Sequence, residues 1–187
     1  MNYALRSAVH GLAVCATTLC LSAQAQAGKA AHVHGLMHLD IAVDKQLLIV
    51  QMESPLDSLL GFEHRPRTPA QRQAADALLK RMDDGATLFK PDAAAQCVLM
   101  ETRIESAVLQ STAPAAGSKD ADKKSEHADL DASYEFSCTH PDKLTAVEIG
   151  LFDAFKRLQK IEVQVAGARS QSRQTLQRPD KLVKLTR

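Results

Sequence analysis

The chain has 187 residues, of which 45% are hydrophobic, 24% charged and only 4% aromatic. That length and apolar content suit one globular domain and exclude a wholly disordered chain. Twenty-three Lys and Arg against 22 Asp and Glu leave a formal charge of +1, and there is no Trp. Such a surface argues against nucleic acid or an anionic membrane as the main partner.

Residues 1–27 read as a secretory signal peptide. Arg6 supplies the basic n-region, Ala8 to Leu21 the apolar h-region, and Ala23-Gln24-Ala25 and Ala25-Gln26-Ala27 overlapping small-x-small cleavage sites. The apolar run is shorter than the roughly 20 residues of a membrane span. The expected location is therefore a bacterial periplasm, with no membrane span in the mature chain. Lipidation at Cys15 or Cys20 is disfavoured by the bulky Val14 and Leu19 before them. Loss of 1–27 removes Arg6 and no acid, so residues 28–187 are formally neutral and are expected to form a single domain. Cys97 and Cys138 remain. An oxidising compartment favours a disulfide between them. The alternative is a thiolate metal ligand, with His140 two residues after Cys138 in its favour.

In chain order, His32 to Val43 alternates as a strand. Val33, Met37, Leu39, Ile41 and Val43 share one face; His32, His34, Leu36, His38, Asp40 and Ala42 share the other. A turn at Asp44-Lys45 leads to a returning strand, Leu47 to Glu53, ended by Ser54-Pro55. Leu56 to Leu60 predicts a helical turn closed by Gly61. Thr68-Pro69-Ala70-Gln71 is a helix start with a capping box, and Ala75, Leu78, Leu79, Met82, Ala86 and Phe89 give the helix a buried stripe as far as Pro91, with Gly85 a weak point. Cys97 to Leu109 reads as a strand. Residues 111–126 are rich in Ala, Gly, Ser, Lys and Asp without periodicity and read as a flexible linker. His127 to Cys138 alternates cleanly, so a hairpin across the linker brings Cys97 near Cys138. Strands follow at Leu144 to Leu151, Ile161 to Val165, Gln171 to Leu176 and Leu182 to Leu185. The expected fold class is α+β: a mainly antiparallel sheet of about seven strands packed with one long helix and short helical insertions.

The chemistry concentrates in HVHGLMH, residues 32–38. Strand spacing puts three imidazoles and Asp40 on one face, and neutral imidazole suits zinc, copper or nickel. The row His127, Asp129 and Asp131 has the same period. A metal site shared between two such rows is one reading; solvated, exposed strand faces are the other. His64, beside Glu63 and Arg65, reads by itself as a loop residue. Glu53, Asp57 and Glu63 supply acids with no fixed geometry. No HExxH, GxSxG, phosphate-binding loop or GxGxxG is present, so no enzyme is expected.

HVHGLMHLDIAV, ESPLDSLLGFEHRPRTPAQ, HADLDASYEFSC and LTAVEIGLFDAF together resemble the ZrgA-type periplasmic zinc-uptake proteins, across about Ala31 to Leu185. The resemblance implies a secreted Zn2+-binding protein working beside a zinc ABC importer or its periplasmic binding protein. It matches His32 and His34 to the family's opening histidine pair, His127 to the histidine of the later strand, and Glu63 and His64 to the GFEH block. The linker lacks the histidines such proteins often carry there. The expected metal ligands are His32, His34, His38 and His127 with Asp129 or Asp131. Asp40, Glu63 and His64 are supporting or additional ligands, and other divalent transition metals are admissible. The rival expectation is a metal-free periplasmic adaptor that binds an envelope or transporter partner.

Overall fold

The computed structural model describes residues 33–109, 128–168 and 170–185. The expected signal peptide at 1–27, the linker at 111–126, His32 and His127 lie outside the described residues. The described residues fall within one compact unit.

The elements run β1 (Leu36–Asp44), β2 (Leu47–Pro55), α1 (Leu56–Leu60), α2 (Pro69–Asp83), α3 (Gly85–Leu88), β3 (Phe89–Pro91), β4 (Cys97–Glu105), β5 (Asp129–Cys138), β6 (Ala146–Ile149), α4 (Leu151–Ala154), β7 (Lys160–Ala166), β8 (Gln171–Gln177) and β9 (Leu182–Lys184), with 3-10 turns at Ala93–Ala95 and Pro141–Lys143. They build a six-stranded sheet in the order β4-β5-β2-β1-β7-β8 and a three-stranded sheet, β3-β6-β9.

The expectation of a mainly antiparallel sheet of about seven strands with one long helix needs correction. Among the described residues nine strands form two sheets, and the larger sheet is mixed, because β7 pairs parallel to β1. A parallel neighbour requires a crossover, and β6 with α4 supplies it between β5 and β7. The long helix also stops early. Its Thr68 cap and Gln71 capping box are as the sequence predicts, but α2 ends at Asp83, and Phe89 opens a strand. Gly85 is the reason. It lies beneath Tyr134, whose ring carbon would stand only 2.4 Å from a Cβ at that position. The chain passes under the ring, and Phe89 then packs on it at 4.9 Å between centroids.

Alternation sets the core. Met37, Leu39 and Ile41 of β1, Leu48, Val50 and Met52 of β2, and Leu130, Ala132, Tyr134 and Phe136 of β5 are buried on one face of the large sheet. Leu78 and Met82 of α2, Val147 and Ile149 of β6, Phe152 of α4 and Val183 of β9 join the same apolar cluster. Tyr134 threads through it and donates its hydroxyl to the Met82 carbonyl at 2.8 Å. Cys97 and Cys138 are paired residues of β4 and β5 and are joined by a disulfide.

Candidate metal centre

The expected first strand begins four residues late. Val33 to Gly35 form a turn, with Gly35 at φ 79°, a conformation that disfavours residues with a side chain. Three anchors hold this turn. The Gly35 N–H donates to Ser58 Oγ at 2.9 Å, and the Gly35 carbonyl accepts from the N–H groups of Gln159 at 2.8 Å and Lys160 at 2.9 Å. The fully buried Ser58 hydroxyl in turn donates to the Leu36 carbonyl at 3.4 Å. Two blocks that stand apart in sequence, Val33 to Gly35 and ESPLDSLLGFEH, thus meet in space.

His34 is placed by that meeting. Its Nδ1 lies 3.7 Å from Asp57 Oδ2, and its Nε2 lies 3.3 Å from Glu63 Oε1. The imidazole is mostly exposed, whereas both carboxylates are largely covered. The two acids differ in their other partners. Asp57 is clamped by Arg157, whose Nη2 donates to Oδ1 at 3.1 Å and Oδ2 at 3.2 Å and whose Nε donates to the Asp57 carbonyl at 2.9 Å. Glu63 Oε1 is buried and accepts no hydrogen bond. α1 holds these groups together. It ends at Gly61, φ 85°, where an added Cβ would press on the Arg157 guanidinium at 3.2 Å.

The neighbouring GFEH residues face elsewhere. His64 stacks on Phe62 with ring centroids 5.2 Å apart, and its Nδ1 lies 2.9 Å from the Arg65 carbonyl.

His38 has a different setting. It lies on the outer face of the large sheet, in a row that reads Glu105, Asp131, Glu53, His38, Glu162 across β4, β5, β2, β1 and β7. Asp40 and Asp131 line the same open groove of about 390 Å³ with His38 and Glu53. His38 Nδ1 lies 3.6 Å from Glu162 Oε2. Glu162 is held below the usual carboxylate range, chiefly by the hydrogen bond from Lys160 at 2.6 Å and less by the charges of Lys160 and His38. Asp129 opens β5 opposite Pro55. The two expected ligand strands are not adjacent, because β2 runs between β1 and β5 and sets them roughly 10 Å apart.

The structure therefore brings His34 together with Glu63 and Asp57, and sets His38 between Glu53 and Glu162, with Asp131 one strand beyond Glu53. Among the described residues no three His, Cys, Asp or Glu side chains converge as a complete cation cage. Asp57 in its orienting setting, Ser58 and Arg157 escape the sequence reading. Arg157 comes from 100 residues further along the chain, so no local pattern announces it.

An imidazole flanked by a carboxylate without a hydrogen bond offers nitrogen and oxygen donors of the kind that divalent cations accept. The chain matches the family model described as ZrgA family zinc uptake protein over residues 31–185, and it belongs to that family. A search of the curated proteins finds no match. The family is described as one of zinc uptake. No helix among the described residues is long and apolar enough to cross a membrane.

Proposed function

We propose that this is a periplasmic zinc-binding accessory protein that holds Zn2+ at His34 and Glu63 and supports its delivery to an ABC-type zinc importer. The observation that carries the reading is the buried Glu63 Oε1, without a hydrogen bond and 3.3 Å from His34 Nε2. A buried carboxylate oxygen is costly unless a cation or donor satisfies it. Zinc bonds of about 2.0–2.1 Å in a tetrahedron put neighbouring ligand atoms roughly 3.3 Å apart, so the pair already has the edge length of a zinc site.

His32 and His127 enter the proposal by chain position. His32 precedes Val33, the first residue of the anchored turn. His127 precedes Ala128, whose carbonyl accepts from the Leu56 N–H at 2.8 Å, one residue before Asp57. Both are candidates to complete the shell by the family resemblance. His38, Asp131 and Asp129 are separate candidates for further zinc contacts on the sheet. The importer or its binding protein as recipient rests on the family's role in uptake.

Competition of the purified protein with a zinc indicator tests this. The His34→Ala and Glu63→Gln variants are each expected to lose at least tenfold in zinc affinity while keeping the far-UV spectrum of the parent. Unchanged affinity in both would remove the assignment. The adaptor reading is favoured by a separate observation: Leu47, Val98 and Met100 are large apolar side chains exposed on the large sheet. It predicts that partner capture survives chelation of all zinc, whereas the zinc reading predicts a zinc-dependent encounter.

A further inference from the structure

We infer that Asp57, clamped by Arg157, is a positioning residue that keeps the His34 proton on Nδ1 and so presents Nε2, the nitrogen facing Glu63, to the metal. This rests on the zinc-binding reading of the site.

Both ring nitrogens of His34 face a carboxylate, so the arrangement must assign one to the metal and the other to a proton. The two acids are not equivalent. Both Asp57 oxygens take hydrogen bonds from Arg157 Nη2, and the Asp57 main chain takes another from Nε. Its charge is compensated and its plane is fixed. Moving it into a metal shell would break two charge-assisted hydrogen bonds and leave the guanidinium unpaired. Glu63 Oε1 has nothing to give up. Asp57 therefore suits an N–H acceptor, and Glu63 suits a metal ligand.

Distance does not make the division by itself, since Nε2 lies 3.3 Å from Glu63 Oε1 and Nδ1 lies farther from Asp57; the Arg157 clamp does. Asp57 Oδ2 lies 3.7 Å from Nδ1, within ion-pair reach but longer than a hydrogen bond. A cation on Nε2 withdraws electrons from the ring and makes Nδ1–H a stronger donor, which shortens the contact. Metal-bound imidazoles commonly donate their second N–H to a carboxylate, and loss of that partner typically costs 10–100-fold in affinity. The imidazole itself is largely exposed, so little else packs it into one orientation. The clamp also links two distant parts of the chain, since Arg157 follows α4 and Asp57 belongs to α1.

Nitrogen-15 spectra of the histidine rings test the inference directly. In the zinc-free protein, His34 is expected to carry its proton on Nδ1 with Nε2 bare, and added zinc is expected to shift the Nε2 resonance. Asp57→Ala is expected to move the proton toward Nε2 and to weaken zinc binding 10–100-fold. Arg157→Met keeps the carboxylate but frees it, and is expected to change both quantities in the same direction by less. A proton on Nε2 in the zinc-free parent, or zinc on Nδ1, would overturn the inference without any variant. So would unchanged tautomer and affinity in Asp57→Ala while His34→Ala loses zinc. Unchanged affinity in His34→Ala is a different result: it removes the zinc reading and the positioning role together.

Discussion

Glu63 and Tyr134 show how a single buried polar atom can be either a liability or a fastening. Glu63 Oε1 is desolvated without a hydrogen bond, a state that costs about 1–3 kcal/mol. Glu63→Gln replaces the carboxylate with a neutral amide of nearly the same shape. Its zinc-free form is expected to be as stable as the parent or up to about 1 kcal/mol more stable, even as its zinc affinity is expected to fall. Chemical denaturation in chelator checks the first half. A loss of zinc-free stability would mean that the carboxylate serves the fold. Tyr134 is the opposite case: its hydroxyl is buried and satisfied by the Met82 carbonyl. Burial, and to a lesser degree the Asp83 charge, raises its pKa far above the ordinary phenol value. A group with a raised folded pKa stabilises the fold fully below its unfolded value, about 10 for Tyr, and loses that contribution as pH rises toward the folded value. Stability should therefore fall above pH ~10, and Tyr134→Phe should flatten that fall while costing about 0.5–1.5 kcal/mol at neutral pH. Denaturant melts across alkaline pH measure both effects.

At the scale of elements, local patterns were legible and long-range pairings were not. The clean alternation of Leu130, Ala132, Tyr134 and Phe136 names the buried face of β5, and the Thr68 and Gln71 capping box marks the start of α2, because each signal depends on residues a few positions apart. Gly85 was legible as a weak point of α2, but that the helix stops there and not at Pro91 was not, since it depends on Tyr134 arriving over Gly85 from another strand. The late start of β1 was hidden for a similar reason: Gly35 turns because Ser58, Gln159 and Lys160 hold it. Sequence alternation put His34 and His38 on one strand face, whereas the turn gives them separate carboxylate partners. The disulfide was legible, because strands of similar length on either side of an aperiodic segment form a hairpin. It joins β4 to β5 across a sequence separation of 41. Closing a loop of that size stabilises by about 4 kcal/mol in the chain-entropy picture. The Cys97→Ser/Cys138→Ser double variant is expected to lose roughly that much, read from its denaturant midpoint against the oxidised parent. Its zinc affinity should hold at temperatures where it stays folded, since neither cysteine touches His34 or Glu63.

For the whole molecule, the six-stranded sheet is a frame that brings together three separate stretches of chain. The turn before β1 supplies His34, α1 and the residues after it supply Asp57 and Glu63, and the segment leading into β7 supplies Arg157. The parallel pairing of β7 with β1 makes this possible, because it sets the start of β7 beside the start of β1. A purely antiparallel meander would carry that end to the far side of the sheet. The proposed site thus depends on topology as much as on its histidine. The most direct measurement is anomalous diffraction at the zinc edge from crystals of the zinc-loaded protein. The expected result is a peak about 2.0–2.1 Å from His34 Nε2 and about 2.0–2.2 Å from a Glu63 oxygen, with Asp57 still held by Arg157. A fully loaded crystal in which zinc lies away from both side chains would contradict the account.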